Sequence, residues 1–511
     1  MGRCYYAWEE WDREKGKFVK KCCQKETWKG SDEFCIFHDP SQEKDIGLFK
    51  EMLEEQIEAE TSIHNFVGYC FPEEWDFSGK EFRLNVHFNG ASFGQNVDFS
   101  KAFFCKNVEF SHAVFQGNAD FLRATFQKAG FSSTTFQSNA DFGEVAFQDD
   151  ADFWEATFQE ANFSFATFQR NSDFNRAIFK KDVRFYKTIF HTTNFNEATF
   201  QDDVDFNKAT FQQHVSFYET VFLKGACFWG VILKDSSNFR FVTFQGDADF
   251  WGATFQKADF LGATFQKNAY FREVTFQGDA DFSGTTIRES FDLVPEQVSG
   301  ILDFRGAKFL LTSSVAANLR KAKFYRAYLQ NVVFMNCVWP EDCIIYEEKH
   351  MNDKNINLSF STLETIYRNL KQNTQSHGDY ARAGEFYYRE MEMRRESATR
   401  TRERVGLEAY KHLAGYGERY WNTAVVSASI VFIFAFLYGA LDCLHYSIEN
   451  PSLQQKIIDV IYFSFVTFTT LGLGDIAPAT TLGKVLICVE AVIGAFMIAV
   501  FVVVFVRKMA R

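Results

Sequence analysis

The chain has 511 residues, a length that fits two or three domains, and it carries a net charge of -12. An acidic chain is poorly suited to the phosphate backbone of DNA or RNA, so we expect no nucleic-acid partner. The sequence contains no evident phosphate-binding loop, nucleophile elbow or paired-carboxylate motif, and we expect no enzymatic activity.

Residues 1–45 are predicted to form a small zinc-binding segment, with five candidate ligands: Cys4, Cys22, Cys23, Cys35 and His38. Cys35 and His38 have the two-residue gap that zinc ligands use, and Cys4 with one of Cys22 or Cys23 completes a Cys3His set. Reduced cysteines packed against aromatic side chains are the alternative. Residues 1–35 lack an apolar signal segment, which favours a reduced, cytosolic setting. Residues 46–83 are predicted to be helical, and they either link the first segment to the next domain or cap the open end of that domain.

A phenylalanine recurs every five or six residues along residues 88–282. Steps of five and six turn about 140° and 240° around a helix axis, so a helix would scatter these side chains. In a strand, each phenylalanine and the small residue two positions before it point to the same side. A fixed period of this kind is typical of a solenoid. Steps of five return between Phe309 and Phe334, and residues 289–300 are interpreted as a looped insertion.

Units such as residues 151–155, Ala-Asp-Phe-Trp-Glu, resemble those of the pentapeptide-repeat family. The resemblance implies a right-handed quadrilateral β-helix over residues 84–345, with four pentapeptides per coil and the extra residues at alternate corners. Roughly eleven or twelve coils would make a rod about 50–60 Å long. We expect this β-helix to lie in the cytoplasm.

Residues 346–420 are predicted to form a helical hairpin and a juxtamembrane helix. Apolar residues spaced by three and four indicate helices over residues 363–370 and 383–395, with a break at Gly378. Residues 394–410 are interpreted as lying on the inner membrane face, with a solvated linker as the alternative. Residues 415–417, Gly-Tyr-Gly, are interpreted as a turn. Our hypothesis is that the hairpin conveys the state of the rod to the last domain.

Residues 421–511 are predicted to be an all-α domain with two membrane spans, at about 423–441 and 483–506. Basic residues flank the spans, Arg419 before the first and Arg507 and Lys508 after the second. This distribution predicts that both termini are cytoplasmic. Residues 457–469 are apolar but too short to span, and they are predicted to be a re-entrant pore helix.

Residues 470–475 follow the pore helix and read Thr-Leu-Gly-Leu-Gly-Asp. Gly472 and Gly474 permit the positive φ that turns successive carbonyls toward one axis. With Tyr462, Phe463, Val466 and Thr469 of the pore helix, this stretch resembles the pore of prokaryotic two-transmembrane potassium channels. The resemblance implies a K+-permeant filter. Its ion sites would be lined by the carbonyls of Thr470, Leu471, Gly472 and Leu473 and by the Thr470 hydroxyl, and Asp475 would lie at the outer mouth.

Two positions depart from that pattern. Leu473 stands where most relatives have Tyr, and Val466 replaces the carboxylic acid that some channels use as a brace for Asp475. A weakly selective cation channel is therefore one alternative function, and a membrane-anchored β-helical scaffold with a vestigial pore is another. Because one chain supplies one of four filter loops, we expect a homotetramer in the plasma membrane. The β-helix is expected to regulate gating or to bind an unknown cytoplasmic regulator.

The second span contains the candidate gate and hinge residues: Glu490, Gly494, Val500 and Val504. Glu490 is expected either to line a cavity or to bond to the pore helix. Gly494 is either a gating hinge or a site of close helix packing. The valines are expected to contribute to a hydrophobic gate.

Overall fold

The computed structural model describes residues 2–12, 17–41, 43–351, 358–445 and 452–509. The chain divides into two compact units, Met1–Trp339 and Pro340–Arg511. The predicted boundary between residues 345 and 346 therefore lies a few residues too late.

The N-terminal part of the first unit is a small β-hairpin followed by a helix. Strands Ala7–Asp12 and Lys17–Cys22 pair antiparallel, with Ala7 opposite Cys22. Helix α1, Ile46–Ala59, begins at Asp45, whose carboxylate accepts a hydrogen bond of 3.0 Å from the Leu48 amide. The α1 side chain Phe49 is buried and packs on Phe71, at 5.7 Å between ring centroids. Helix α1 thus covers residues of the first coil.

A β-solenoid of about twelve coils follows. It begins with strand Ile63–Asn65, which pairs parallel with Asn85–His87, and its last strand is Val332–Phe334. The predicted start at residue 84 is therefore wrong, and residues 63–83 belong to the solenoid. Phe66, Phe71, Phe77 and Phe82 continue the ladder upstream in steps of five and six and are all buried.

Most coils take 21 or 22 residues, as shown by the partners Thr125 and Ala146 and the partners Thr135 and Thr157. The last coils are shorter, since Asp303 pairs with Lys323. Four pentapeptides account for 20 residues, and the extra ones appear as register shifts in the longer strands, for example between Phe136 and Asn139. Strands of six or seven residues are Phe103–Glu109, Thr125–Gly130, Thr135–Asp141, Thr157–Asn162, Thr167–Asp173, Ile189–Asn194, Ile232–Asn238 and Thr254–Asp259. The other solenoid strands have two to four residues.

The solenoid core consists of stacked phenylalanine rings. Phe153 and Phe174, one coil apart, are parallel at 4.7 Å between centroids, whereas Phe142 and Phe153, within one coil, meet edge to face at 5.6 Å. Both arrangements are favourable for aromatic pairs. Aspartates close the adjacent turns, since the Asp152 carboxylate accepts from the Trp154 amide at 2.9 Å. Each coil therefore buries its rings only by stacking on its neighbours.

The interpretation of residues 289–300 as a looped insertion is wrong. Strands Phe291–Val294 and Gln297–Val298 pair parallel with Ala269–Arg272 and Thr275–Phe276 of the preceding coil. The coil keeps its length, and its core positions are filled by other apolar side chains such as the buried Leu293. The phenylalanine spacing disappears there while the fold continues.

The second unit is helical. Its helices are α2 (Tyr346–Lys349), α3 (Phe360–Ser376), α4 (Tyr380–Ser397), α5 (Thr401–Ala414), α6 (Tyr420–Ala440), α7 (Leu453–Phe468) and α8 (Thr481–Met509). Helices α3 and α4 form the predicted hairpin, with Gly378 between them at φ 82°. Helix α5 ends at Gly415 in the left-handed region, and Gly415–Gly417 is a short 3-10 turn. Helices α6 and α8 are long and apolar enough to cross a membrane.

Candidate ion pathway

The filter residues form the connection that leaves the C-terminal end of α7. Thr469 caps α7, and Thr470 follows with φ 57°. Gly472 and Gly474 have φ 55° and 80°, a region in which a side chain is disfavoured. The backbone can therefore present successive carbonyls to one side, in the way that dehydrated cations are coordinated. The chain then reaches Ala477–Pro478, which pairs antiparallel with Leu444–His445 and leads into α8.

Two apolar side chains of this connection are exposed to solvent in the part of the chain that the structure describes. Leu471 and Leu473 are 63% and 64% exposed, whereas Phe463 and Val466 on α7 are buried. Exposed apolar side chains at the end of a packed helix are typical of a surface that contacts another molecule.

The Tyr462 phenol of α7 interacts electrostatically with the Asp475 carboxylate. Tyr462 lies one helical turn before Val466, where some potassium channels have a carboxylic acid that braces the aspartate. The Thr469 hydroxyl instead donates to the Phe465 carbonyl at 2.8 Å and so belongs to the end of α7.

Glu490 lies behind the pore helix and not in a cavity. It is fully buried, and the Tyr438 hydroxyl of α6 donates to its Oε2 at 2.7 Å. Its Oε1 is hydrogen-bonded to the Ser464 hydroxyl of α7. The Ser464 hydroxyl also contacts the Val431 carbonyl of α6 at 2.8 Å. The Glu490 carboxyl of α8 thus links α6 and α7.

The three hydrogen bonds of this cluster need three protons. The Tyr438 and Ser464 hydroxyls supply one each, and a main-chain carbonyl supplies none. An ionised carboxylate would therefore leave one contact without a proton. A neutral Glu490 satisfies all three when Ser464 donates to the Val431 carbonyl and the carboxyl donates to Ser464. Neutrality also avoids the cost of an unpaired charge in a membrane interior.

Gly494 packs against the end of the pore helix. A Cβ built on it would lie 2.2 Å from the Phe468 carbonyl oxygen, closer than any real contact. Val500 is partly buried and Val504 is buried, one turn apart toward the end of α8. Sequence reasoning proposed these positions but missed Tyr438 and Ser464, whose roles depend on how α6, α7 and α8 pack.

Ionic contacts join the start of α6 to the end of α8, and a cation–π contact joins the end of α8 to α4. Glu418, just before α6, is buried and lies 3.3 Å from Arg507 and 3.9 Å from Lys508 at the end of α8. The Arg507 guanidinium also lies over the Tyr387 ring of α4, at 5.2 Å from its centroid. A cation on α8 is therefore held by both the start of α6 and the helical hairpin.

Helices α4 and α5 are joined around Glu392. The Lys411 ammonium donates to its carboxylate at 2.9 Å and the Tyr416 hydroxyl at 2.8 Å. Burial alone would raise the pKa of Glu392, but these hydrogen bonds outweigh it and leave that pKa below its ordinary value. Burial raises the pKa of Tyr416, and its hydrogen bond to Glu392 adds to the shift. The Gly-Tyr-Gly turn thus anchors α5 on the hairpin.

The structure brings four of the five candidate zinc ligands together in the first unit. Sγ of Cys4, Cys23 and Cys35 and a ring nitrogen of His38 all lie within 4.8 Å of one another. Cys22 is exposed and lies outside this cluster, so its candidacy is wrong. Consecutive strand residues face opposite sides, which leaves only one of the two neighbouring cysteines facing inward.

Two family models match stretches of the chain, one in each of its two units. Residues 424–511 match the family model described as ion channel. Residues 110–157, 153–199, 186–232 and 228–275 match the model described as pentapeptide repeats.

The chain joins pentapeptide repeats to an ion-channel domain. The predicted solenoid and channel architecture is thereby confirmed, and the ion-channel domain with its two apolar helices places the protein in a membrane. A stretch of 59 residues is 39% identical to the potassium channel protein kcv of Paramecium bursaria Chlorella virus 1. The match spans 12% of this chain and 62% of that protein. No solved structure matches the chain significantly.

Proposed function

We propose that this pentapeptide-repeat channel is a K+-selective homotetramer of the plasma membrane, with both termini in the cytoplasm. The observation that carries the proposal is the filter connection of residues 470–475, with positive φ at Thr470, Gly472 and Gly474. Similarity to a potassium channel protein supports K+ as the permeant ion. Zn2+ in the N-terminal cluster is a separate proposal, because it concerns the first unit and does not depend on conduction.

The exposure of Leu471 and Leu473, 63% and 64% in the part of the chain that the structure describes, supports assembly around an axis. The number four comes from the resemblance to potassium channels, in which four such loops make one ring of carbonyls. Closed rings of identical subunits satisfy this requirement with one repeated interface. The K+ ions would lie on that axis, coordinated by the carbonyls of Thr470 to Leu473.

The test uses the full chain in planar bilayers with K+ on one side and Na+ on the other. We expect a reversal potential that reports preference for K+, and a particle mass in detergent equal to four chains. Gly474→Ala should abolish the current, because φ 80° at this position disfavours a side chain. The matched control is Gly406→Ala, since a Cβ at Gly406 meets nothing within 4 Å.

The result separates the competing functions. A reversal potential near zero would instead establish a weakly selective cation channel. The absence of any current from correctly assembled tetramers would favour a membrane-anchored scaffold, and a particle other than a tetramer would refute the axial filter.

We further propose that the helical hairpin couples a cytoplasmic regulator, bound by the repeats, to the end of α8. The contacts of Arg507 with Glu418 and with the Tyr387 ring support this route, because displacement of α4 must disturb them. Arg507→Gln should change the open probability, whereas Gln at the exposed Arg402 of α5 should not. Deletion of residues 1–350 tests the rod itself, and an unchanged open probability in a tetrameric pore would reject the coupling.

A further inference from the structure

The N-terminal cluster has the composition and spacing of a structural metal site. The Cys4 Sγ lies 3.6 Å from the His38 Nδ1, the Cys35 Sγ lies 3.1 Å from that nitrogen, and the Cys23 and Cys35 sulfurs are 3.9 Å apart. A tetrahedral zinc ion would set edges of about 3.8 Å between sulfurs and about 3.6 Å between sulfur and nitrogen, from its usual bond lengths. These three distances lie within about 0.5 Å of the tetrahedral edges, and all four donor atoms lie within 4.8 Å of one another.

The surroundings of His38 prepare it as a ligand. Its Nε2 contacts the Val67 carbonyl at 2.9 Å, and a main-chain carbonyl can only accept, so Nε2 carries the proton. The lone pair is then on Nδ1, which faces the three sulfurs. The Tyr6 ring stacks on the imidazole at 4.1 Å and fixes its plane. This arrangement is the outer-sphere support typical of metal-bound histidine.

The cysteines are also placed for ligation. All four ligand residues are buried, at 7% exposure or less, and the cysteines are unbridged. The main-chain N–H of Lys25 donates to the Cys23 Sγ at 3.4 Å. A thiolate accepts such a hydrogen bond better than a thiol does. Three sulfur donors and one imidazole select zinc over magnesium or calcium, which prefer oxygen ligands. If the cysteines only filled an apolar core, a histidine nitrogen among their sulfurs would have no function.

We propose that Cys4, Cys23, Cys35 and His38 bind one structural Zn2+ ion, and that the ion closes the open end of the solenoid. Cys4 precedes the β-hairpin and Cys23 follows it, whereas Cys35 and His38 belong to one turn. His38 bonds to Val67 in the first coil, and the Phe37 carbonyl accepts from the Cys70 amide at 2.8 Å. The metal therefore ties three chain segments to the first coil, whose edge would otherwise expose unpaired strand groups.

This proposal is independent of ion conduction. The experiment measures zinc in the full-length protein, purified in detergent under reducing conditions without a polyhistidine tag. We expect one zinc ion per chain, and substitution by Co2+ should give the absorption bands of a tetrahedral site with thiolate ligands. Cys35→Ser should lose the zinc, whereas the matched variant Cys22→Ser should keep it, because Cys22 is exposed.

A second readout follows the cap itself. Removal of zinc by a chelator should increase amide hydrogen exchange in residues 63–84, the first coil, and leave coils near residue 200 unchanged. Zinc-free wild-type protein that shows no cobalt spectrum would overturn the proposal, as would Cys35→Ser with its zinc retained. Metal loss without faster exchange in the first coil would refute the role as a cap.

Discussion

Substitutions at Glu490 test whether its buried carboxyl is neutral or charged. Glutamine has one acceptor oxygen and one donor group, so Glu490→Gln can accept from Tyr438 and donate to Ser464. It reproduces the three-bond pattern that the structure requires of a neutral acid. We therefore expect Glu490→Gln to match the wild type in ion selectivity and in the thermal stability of the proposed tetramer, within about 0.5 kcal/mol.

Glu490→Leu fills the same space without any polar atom. Ser464 can still donate to Val431, but the Tyr438 hydroxyl, which is 0% exposed as a residue, loses its acceptor. An unsatisfied buried hydroxyl costs about 1–3 kcal/mol, and hydrogen bonds between membrane helices average about 0.6 kcal/mol. We expect a loss near 1–2 kcal/mol, a factor of roughly 5–30 in the folded-to-unfolded ratio.

The assay compares thermal dissociation of tetramers and the K+ against Na+ reversal potential for both variants. The double variant Glu490→Leu with Tyr438→Phe provides the control, because it removes the hydroxyl that the leucine leaves without a partner. It should recover part of the lost stability. If Glu490→Gln were as damaging as Glu490→Leu, the carboxyl would act as a charge and the proton count would be refuted.

Three further substitutions test other contacts. Gly494→Ala should destabilise the proposed tetramer by about 1–3 kcal/mol or prevent its assembly, because the new Cβ would overlap the Phe468 carbonyl. Gly439→Ala is the control, since a Cβ there makes only ordinary contacts. Equal yields of assembled protein from the two variants on size exclusion would contradict this expectation. Tyr462→Phe removes the phenol that interacts with Asp475 and should shorten single-channel open times, so unchanged dwell times would argue against this interaction. Phe174→Ala should cost about 3–5 kcal/mol, with faster hydrogen exchange confined to adjoining coils; uniform exchange would contradict the stacked core.

The periodic parts of this protein could be predicted because one rule repeats many times. Each coil buries its phenylalanines on the next, so the period of the sequence is the period of the fold. The prediction of a loop at residues 289–300 failed because the coil continues there with apolar residues other than phenylalanine. Leu293 replaces phenylalanine at a core position, and the spacing disappears while the strand ladder persists. The first coil carries the rule upstream of residue 84, where Phe66 and Phe71 already follow it.

The glycine turn after α7 could be predicted for a different reason. A positive φ is disfavoured for residues with a side chain, so Gly472 and Gly474 indicated a turn there. The side chains that surround this turn have no comparable signal in the sequence. Tyr462 interacts with Asp475 from another element, and Glu490 meets Tyr438 52 residues earlier in the chain. Such pairs depend on how helices pack, which local spacing does not record.

Local sequence determined the repeats, the two apolar helices and the glycine turn, because strand alternation, helix length and backbone freedom are properties of neighbouring residues. Only the tertiary structure decided which partners meet across the chain. It selected Cys23 over Cys22 at the metal cluster, since strand alternation turns one inward while the fold supplies Cys4 and His38 beside it. It also placed Glu490 among hydroxyls and away from an open cavity, because the packing of α6, α7 and α8 leaves that carboxyl no contact with water.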